Sequence, residues 1–181
     1  FRTNPCPQNL EEICKKIMKK CEGLPLAIVT IGGVLSKKNT SRADEWELFY
    51  QSIGTELEGD NKLETLRKLL ALSYYDLPYY LKICFLYLSI FPEDHEIECI
   101  RLIRLWTAEG FVEMRQGMEI EDVAEGYLNE LVDRSLIQVS KTENDGRVRR
   151  CRVHDLLREI ILSKSREQNI VAIYSRIYAS F

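Results

Sequence analysis

Apolar residues recur at helical spacing through the first half of the chain. Leu10, Ile13, Cys14, Ile17, Met18 and Cys21 follow the i, i+3, i+4, i+7 rule, which predicts an amphipathic helix. Residues 24–35 are apolar on nearly every side, the pattern of a helix buried in a bundle. Trp46, Leu48, Phe49 and Ile53 mark a third helix starting near Asp44, and Leu63, Leu66, Leu69, Leu70, Ser73 and Tyr74 mark a fourth. Polar stretches at 37–42 and 54–62 connect them, and four short-linked helices pack most simply as a bundle. The fourth helix fits either this bundle or the unit that follows; the domain boundary is set at 60/61, giving a helical subdomain over 1–60.

The second half changes character. Residues 79–90 predict an aromatic-rich apolar helix, with Pro78 near its start and Phe91-Pro92 ending it. Residues 97–108 predict another, closed by Gly110 in the left-handed conformation common just past a helix. Ile120, Val123, Ala124, Tyr127, Leu128, Leu131 and Val132 give a third stripe. Two strand-like runs, 136–141 and 147–153, flank Asn144-Asp145-Gly146, which supplies the positive φ of a tight reversal. Leu156, Leu157, Ile160 and Ile161 then return to helical spacing. Three helices followed by a two-stranded wing is the order of a winged-helix domain, placed at 61–165. The fold class is therefore mainly α, a helical bundle followed by a winged helix.

Composition narrows the function classes. The 181 residues are 45% apolar and 29% charged with a net charge of −3, ordinary for one large or two small globular domains. The longest apolar stretch, 83–91, is interrupted by Ser89 and falls far short of the roughly 20 residues of a membrane span. Phe1-Arg2-Thr3-Asn4 is neither a start nor an apolar leader, so the sequence reads as a segment of something longer. Six cysteines form no C-x-x-C pair and read as reduced thiols of a cytoplasmic protein. Cys151-x-x-His154 has no second pair of ligands to complete a zinc site, so no metal is assigned.

The chemistry-bearing residues are few. Val153-His154-Asp155 sits where the wing hands over to a helix. Asp155 is placed to accept from the helix's first free N–H groups, and His154, just outside, to aim a ring N–H beyond the helix start. His95 and His154 are far apart and in no nucleophile or metal motif, and 93–96 read as a solvated acidic turn. No residue here is assigned a reaction. A winged-helix DNA-binding regulator is the alternative reading. The third helix and its lead-in oppose it: Glu119, Glu121, Asp122, Glu125, Glu130 and Asp133 stand against one base, Arg134, and would repel phosphates. No nucleic-acid partner is expected.

Four segments carry a resemblance to a known family. Cys21-Glu22-Gly23-Leu24-Pro25-Leu26-Ala27 resembles the "GLPL" motif of plant NB-ARC immune receptors, and Cys84 through Asp94 resembles the "CFLYCSLFPED" motif of their coiled-coil class. Arg104 through Phe111 resembles "LWIAEGF", and Val153-His154-Asp155 resembles "MHD". All four occur in the family's order and spacing. Val153 replaces the usual Met, and Thr107 stands where Ile or Val is common.

The resemblance implies a nucleotide-operated switch in plant defence, built as a nucleotide-binding domain, a helical bundle, a winged helix and leucine-rich repeats. It implies that ADP bridges the units at rest, and that exchange for ATP lets the winged helix swing away, followed by homo-oligomerisation. Pathogen effectors or guarded host proteins act indirectly, through the repeats. Gly23, Leu24, Pro25 and Leu26 match the segment near the adenine, and His154 matches the histidine contacting the β-phosphate. Asp155 matches the motif's acid, holding the loop that aims His154. No G-x-x-x-x-G-K-[ST] occurs, since Gly32-Gly33 is followed by Val34-Leu35-Ser36-Lys37. The phosphate cradle and the Mg²⁺ ligands are therefore expected upstream, in the parent's own nucleotide-binding domain. Residues 166–181 read as a linker toward the repeats.

Overall fold

A computed structural model describes residues 6–56 and 62–168. The apolar stretch 170–181 and most of the 166–181 linker lie outside the described residues. The chain divides into two compact units, Phe1–Asp76 and Leu77–Phe181. The division falls after the fourth helix rather than at 60/61. That helix packs against two helices of the first unit, which decides where it belongs.

The first unit holds a 3-10 turn (Gln8–Leu10) and four helices, α1 (Glu11–Lys20), α2 (Pro25–Leu35), α3 (Ala43–Glu56) and α4 (Lys62–Tyr75). Pairing of α1 with α3, of α2 with α4 and of α3 with α4 encloses the core. Leu10, Ile17, Trp46, Ile53, Leu69 and Leu70 are essentially inaccessible there. Trp46 closes the α2–α3 loop by donating its Nε1–H to the Asn39 carbonyl at 3.2 Å. Met18, Leu48 and Leu63, counted in the apolar stripes, are instead exposed. Met18 lies at the stripe's edge, Leu48 on the far side of α3 from Trp46, and Leu63 in the first turn of its helix. The apolar α2 is not wholly buried either. Ala27, Thr30, Ile31 and Val34 face inward, while Pro25, Val29 and Gly32 form an open apolar face.

The second unit contains α5 (Tyr79–Tyr87), a 3-10 turn (Leu88–Ile90), β1 (Ile97–Glu98), α6 (Cys99–Ala108), α7 (Ile120–Asp133), β2 (Gln138–Thr142), β3 (Val148–Arg152) and α8 (Asp155–Glu167). The wing has three strands rather than two, in the order β1-β3-β2, all antiparallel. Ile97 pairs with Cys151 and Glu98 with Arg150, so the first two residues expected in a helix form the extra strand. Asp145 accepts from the Arg147 N–H across the turn, and Gly146 takes φ +88° as the reversal requires. Among the described residues no helix is long and apolar enough to cross a membrane.

Two helices of this unit end in the same motif. After α6, Phe111 N–H bonds to the Trp106 carbonyl and Gly110 N–H to Thr107, with Gly110 at φ +73°. After α7, Leu136 and Ser135 repeat the pattern onto Leu131 and Val132, but Ser135 occupies the left-handed position at φ +59°. A Cβ there is strained, so Ser135→Gly should stabilise the unit by about 0.5–1 kcal/mol, partly offset by greater unfolded-chain entropy. A higher urea midpoint at unchanged slope is the expected reading.

Candidate functional site

Gly23–Leu26 belong to the first unit and His154–Asp155 to the second. Each segment is built by its own local rules.

Gly23–Leu26 make the turn from α1 into α2. Glu22 (φ +51°) and Gly23 (φ +72°) are both left-handed, which lets the chain reverse immediately after α1. Leu24 donates back to the Cys21 carbonyl at 2.9 Å. It is extended (φ −73°, ψ +115°), as a residue preceding proline must be, and Pro25 then opens α2 where a missing N–H costs nothing. The space a Cβ on Gly23 would enter is open to 4 Å, so glycine answers a backbone angle here and not internal crowding. Pro25 is exposed, and Leu24 and Leu26 are half-buried. The turn thus runs into the open apolar face of Pro25, Val29 and Gly32.

His154 and Asp155 lie at the foot of the wing. His154 itself caps α8: its Nδ1 accepts from the Leu156 N–H at 3.3 Å, at the long end of the hydrogen-bond range. The sequence assigned this cap to Asp155, but Asp155 is the first residue of the helix and exposed. Its carboxylate contributes through the partial positive charge at the helix start instead. Capping has a chemical consequence for the imidazole. A lone pair committed at Nδ1 places the neutral ring's hydrogen on Nε2, which leaves that edge a donor. His154 is half-buried, so the donor is held without being sealed off.

This foot is braced from behind. Arg158, one turn along α8, donates Nη2–H to the Phe91 carbonyl at 3.1 Å, and Ser165 donates to the Leu86 carbonyl at 3.2 Å within the core. The Cys84–Asp94 segment is therefore bonded directly to α8, the helix that His154 caps. Arg158 escaped sequence reading, although a cation four residues after the histidine, beside the apolar stripe of α8, was a usable signal. Val153, Phe91, Pro92 and Arg158 also border a cavity of about 10 Å³, which is room for one water and no ligand. Cys151 is fully buried, a free thiol hydrogen-bonded with that of Cys99, a contact that pushes Cys151 up and holds Cys99 below its usual range.

Charge on the rest of the unit argues against phosphate-backbone binding. Arg134, the base just past the end of α7, is 6% exposed and bonds Glu130 at 3.1 Å, leaving Glu121, Asp122 and Asp133 on the outer surface. Tyr80 also reaches Glu130, and its burial beside that carboxylate pushes the phenol up. On the wing, Arg150 pairs with Glu96 at 3.1 Å and holds that carboxyl below its usual range. Arg147 and Arg149 face Asp145 and Glu143 at 3.6 and 3.8 Å, so these wing cations meet their own chain's acids.

Comparison with known proteins adds the family. A model described as the winged helix domain of disease resistance proteins matches residues 90–161. Disease resistance protein RPM1 of Arabidopsis thaliana is 42% identical over 168 residues, 93% of this chain and 18% of its own length. Disease resistance protein RPP13 of the same plant is 43% identical over 168 residues, again 93% of this chain and 20% of its own. A putative late blight resistance protein homolog from Solanum demissum is 38% identical over 172 residues, 94% of this chain and 13% of its own. The chain spans about a fifth or less of the length of these relatives.

Proposed function

Because residues 90–161 form the winged helix domain of disease resistance proteins, we propose that this chain is the helical and winged-helix part of a plant immune receptor, and that it closes on ADP at rest. The single observation that carries the nucleotide reading is the His154 cap, which leaves Nε2–H as an outward donor beside the start of α8. A diphosphate supplies negative oxygens that suit both that donor and a helix N-terminus. Gly23, Leu24, Pro25 and Leu26 would hold the adenine end, where a left-handed glycine and an exposed proline ring leave an apolar approach. The Walker-type cradle and the Mg²⁺ ligands belong to the parent's own nucleotide-binding domain, for which the open face of α2 is a natural partner surface.

In this reading His154 is a latch. Its donor contact with the phosphate exists in the closed state and is absent once the winged helix swings away, so it biases only the closed form. Exchange for ATP favours release, homo-oligomerisation and defence signalling. Recognition of an effector or a guarded host protein is left to the repeats, and the setting is the cytoplasm. No residue of the segment is given a catalytic role.

The test is the nucleotide content of the intact receptor. Purified under mild conditions and denatured for mass spectrometry, it should release close to one ADP per chain. Purification free of nucleotide would leave the two units as a passive scaffold between the receptor's other domains.

A further inference from the structure

We propose that Cys6 and Cys14 form a peroxide-sensitive modification site, at which oxidation closes an intramolecular disulfide that fastens the chain at residue 6 to the middle of α1. The sulfurs lie 3.4 Å apart with both residues partly accessible, and they need only close to the roughly 2.0 Å of a bond. The backbone on either side is restrained. Cys6 precedes Pro7, which sits at φ −56°, and the 3-10 turn between the cysteines is anchored by fully buried Leu10. The thiols are thus held together by the fold and do not have to find one another.

The other cysteines supply the contrast. Cys99 and Cys151 also touch, but at 1% and 0% exposure they are closed to an oxidant in solution, and Cys21 and Cys84 are buried too. Burial, with Cys6 alongside, pushes the Cys14 thiol up to about 11, which makes it the resolving member and Cys6 the first to react. The Cys6 thiolate attacks one oxygen of hydrogen peroxide, the O–O bond breaks, and a sulfenic acid forms as hydroxide leaves and takes up a proton. The Cys14 sulfur then attacks the sulfenic sulfur, expelling its oxygen as a second water. Two thiols and one peroxide give one disulfide and two waters.

The tryptic peptide from Thr3 to Lys15 contains both cysteines and no others, so the test is direct. The intact receptor is treated with graded hydrogen peroxide, alkylated under denaturing conditions, digested and read by mass spectrometry. That peptide should lose both alkylatable thiols together and appear two hydrogens lighter, at doses that leave Cys99 and Cys151 alkylatable. A reductant should restore both thiols, and Cys6→Ser should keep Cys14 alkylatable at the same dose. Full double alkylation of the peptide after peroxide would overturn the proposal, as would oxidation of Cys99 and Cys151 at equal or lower dose.

Discussion

Replacing His154 by alanine in the intact receptor should lower ADP retention about 10- to 100-fold and produce signalling without a pathogen. The magnitude follows from a charge-assisted hydrogen bond worth about 1.5–3 kcal/mol net, at about 1.4 kcal/mol per tenfold. Alanine removes two things at once, however. It deletes the proposed phosphate donor and also the Nδ1 that caps Leu156, and losing a cap costs about 0.5–2 kcal/mol of helix stability. Serine separates the effects, because its short hydroxyl caps well yet cannot extend to where the imidazole's far edge lies. His154→Ser should match alanine in lost ADP and in cell death when expressed in leaves, while melting close to the wild type. Asp155→Val should signal in the same direction. Normal ADP content and quiet leaves in both His154 variants would remove the latch.

The largest stability effect is expected at Trp106. Its side chain is wholly buried between α6 and the rest of the second unit, and Trp106→Ala should cost about 3–5 kcal/mol. Against the roughly 5–15 kcal/mol of a typical domain, that is enough to leave much of the unit unfolded at moderate temperature. The indole Nε1 finds no partner among the described residues, so its N–H already carries a desolvation cost. Trp106→Phe sheds that cost while keeping most of the ring, and should lose far less than alanine. Trp46 is the natural contrast, since its Nε1 is bonded to Asn39 and Trp46→Phe leaves that carbonyl short of a donor. Urea titrations of these and of Trp46→Ala should rank each alanine below its phenylalanine, with a wider gap at Trp106. Equal losses for Trp106→Ala and Trp106→Phe would contradict the burial argument.

Much of the fold was legible because local rules and packing agree. The α7 stripe is buried at Val123, Ala124, Tyr127, Leu128 and Leu131, and Gly110 closes α6 in the conformation its type suggests. What escaped depends on partners remote in sequence. Ile97 and Glu98 are extended only because β3 lies beside them, and no local pattern distinguishes two such residues from the first turn of a helix. Placement of α4 likewise follows its contacts with α2 and α3. At the wing's foot the cap expected of Asp155 is made by His154. Either of two adjacent polar side chains can cap a helix, and which one does so is set by where the first turn begins, a matter of one residue.

Arg158 and Ser165 grip α5 and its trailing turn at two levels two turns apart on α8. Helix and turn consequently behave as a stiff beam, with the imidazole mounted at one end. A pull on that ring cannot be absorbed by the loop that carries it. Any load on it should pass into α8 and, through Arg158 and Ser165, into α5 and the turn that follows it.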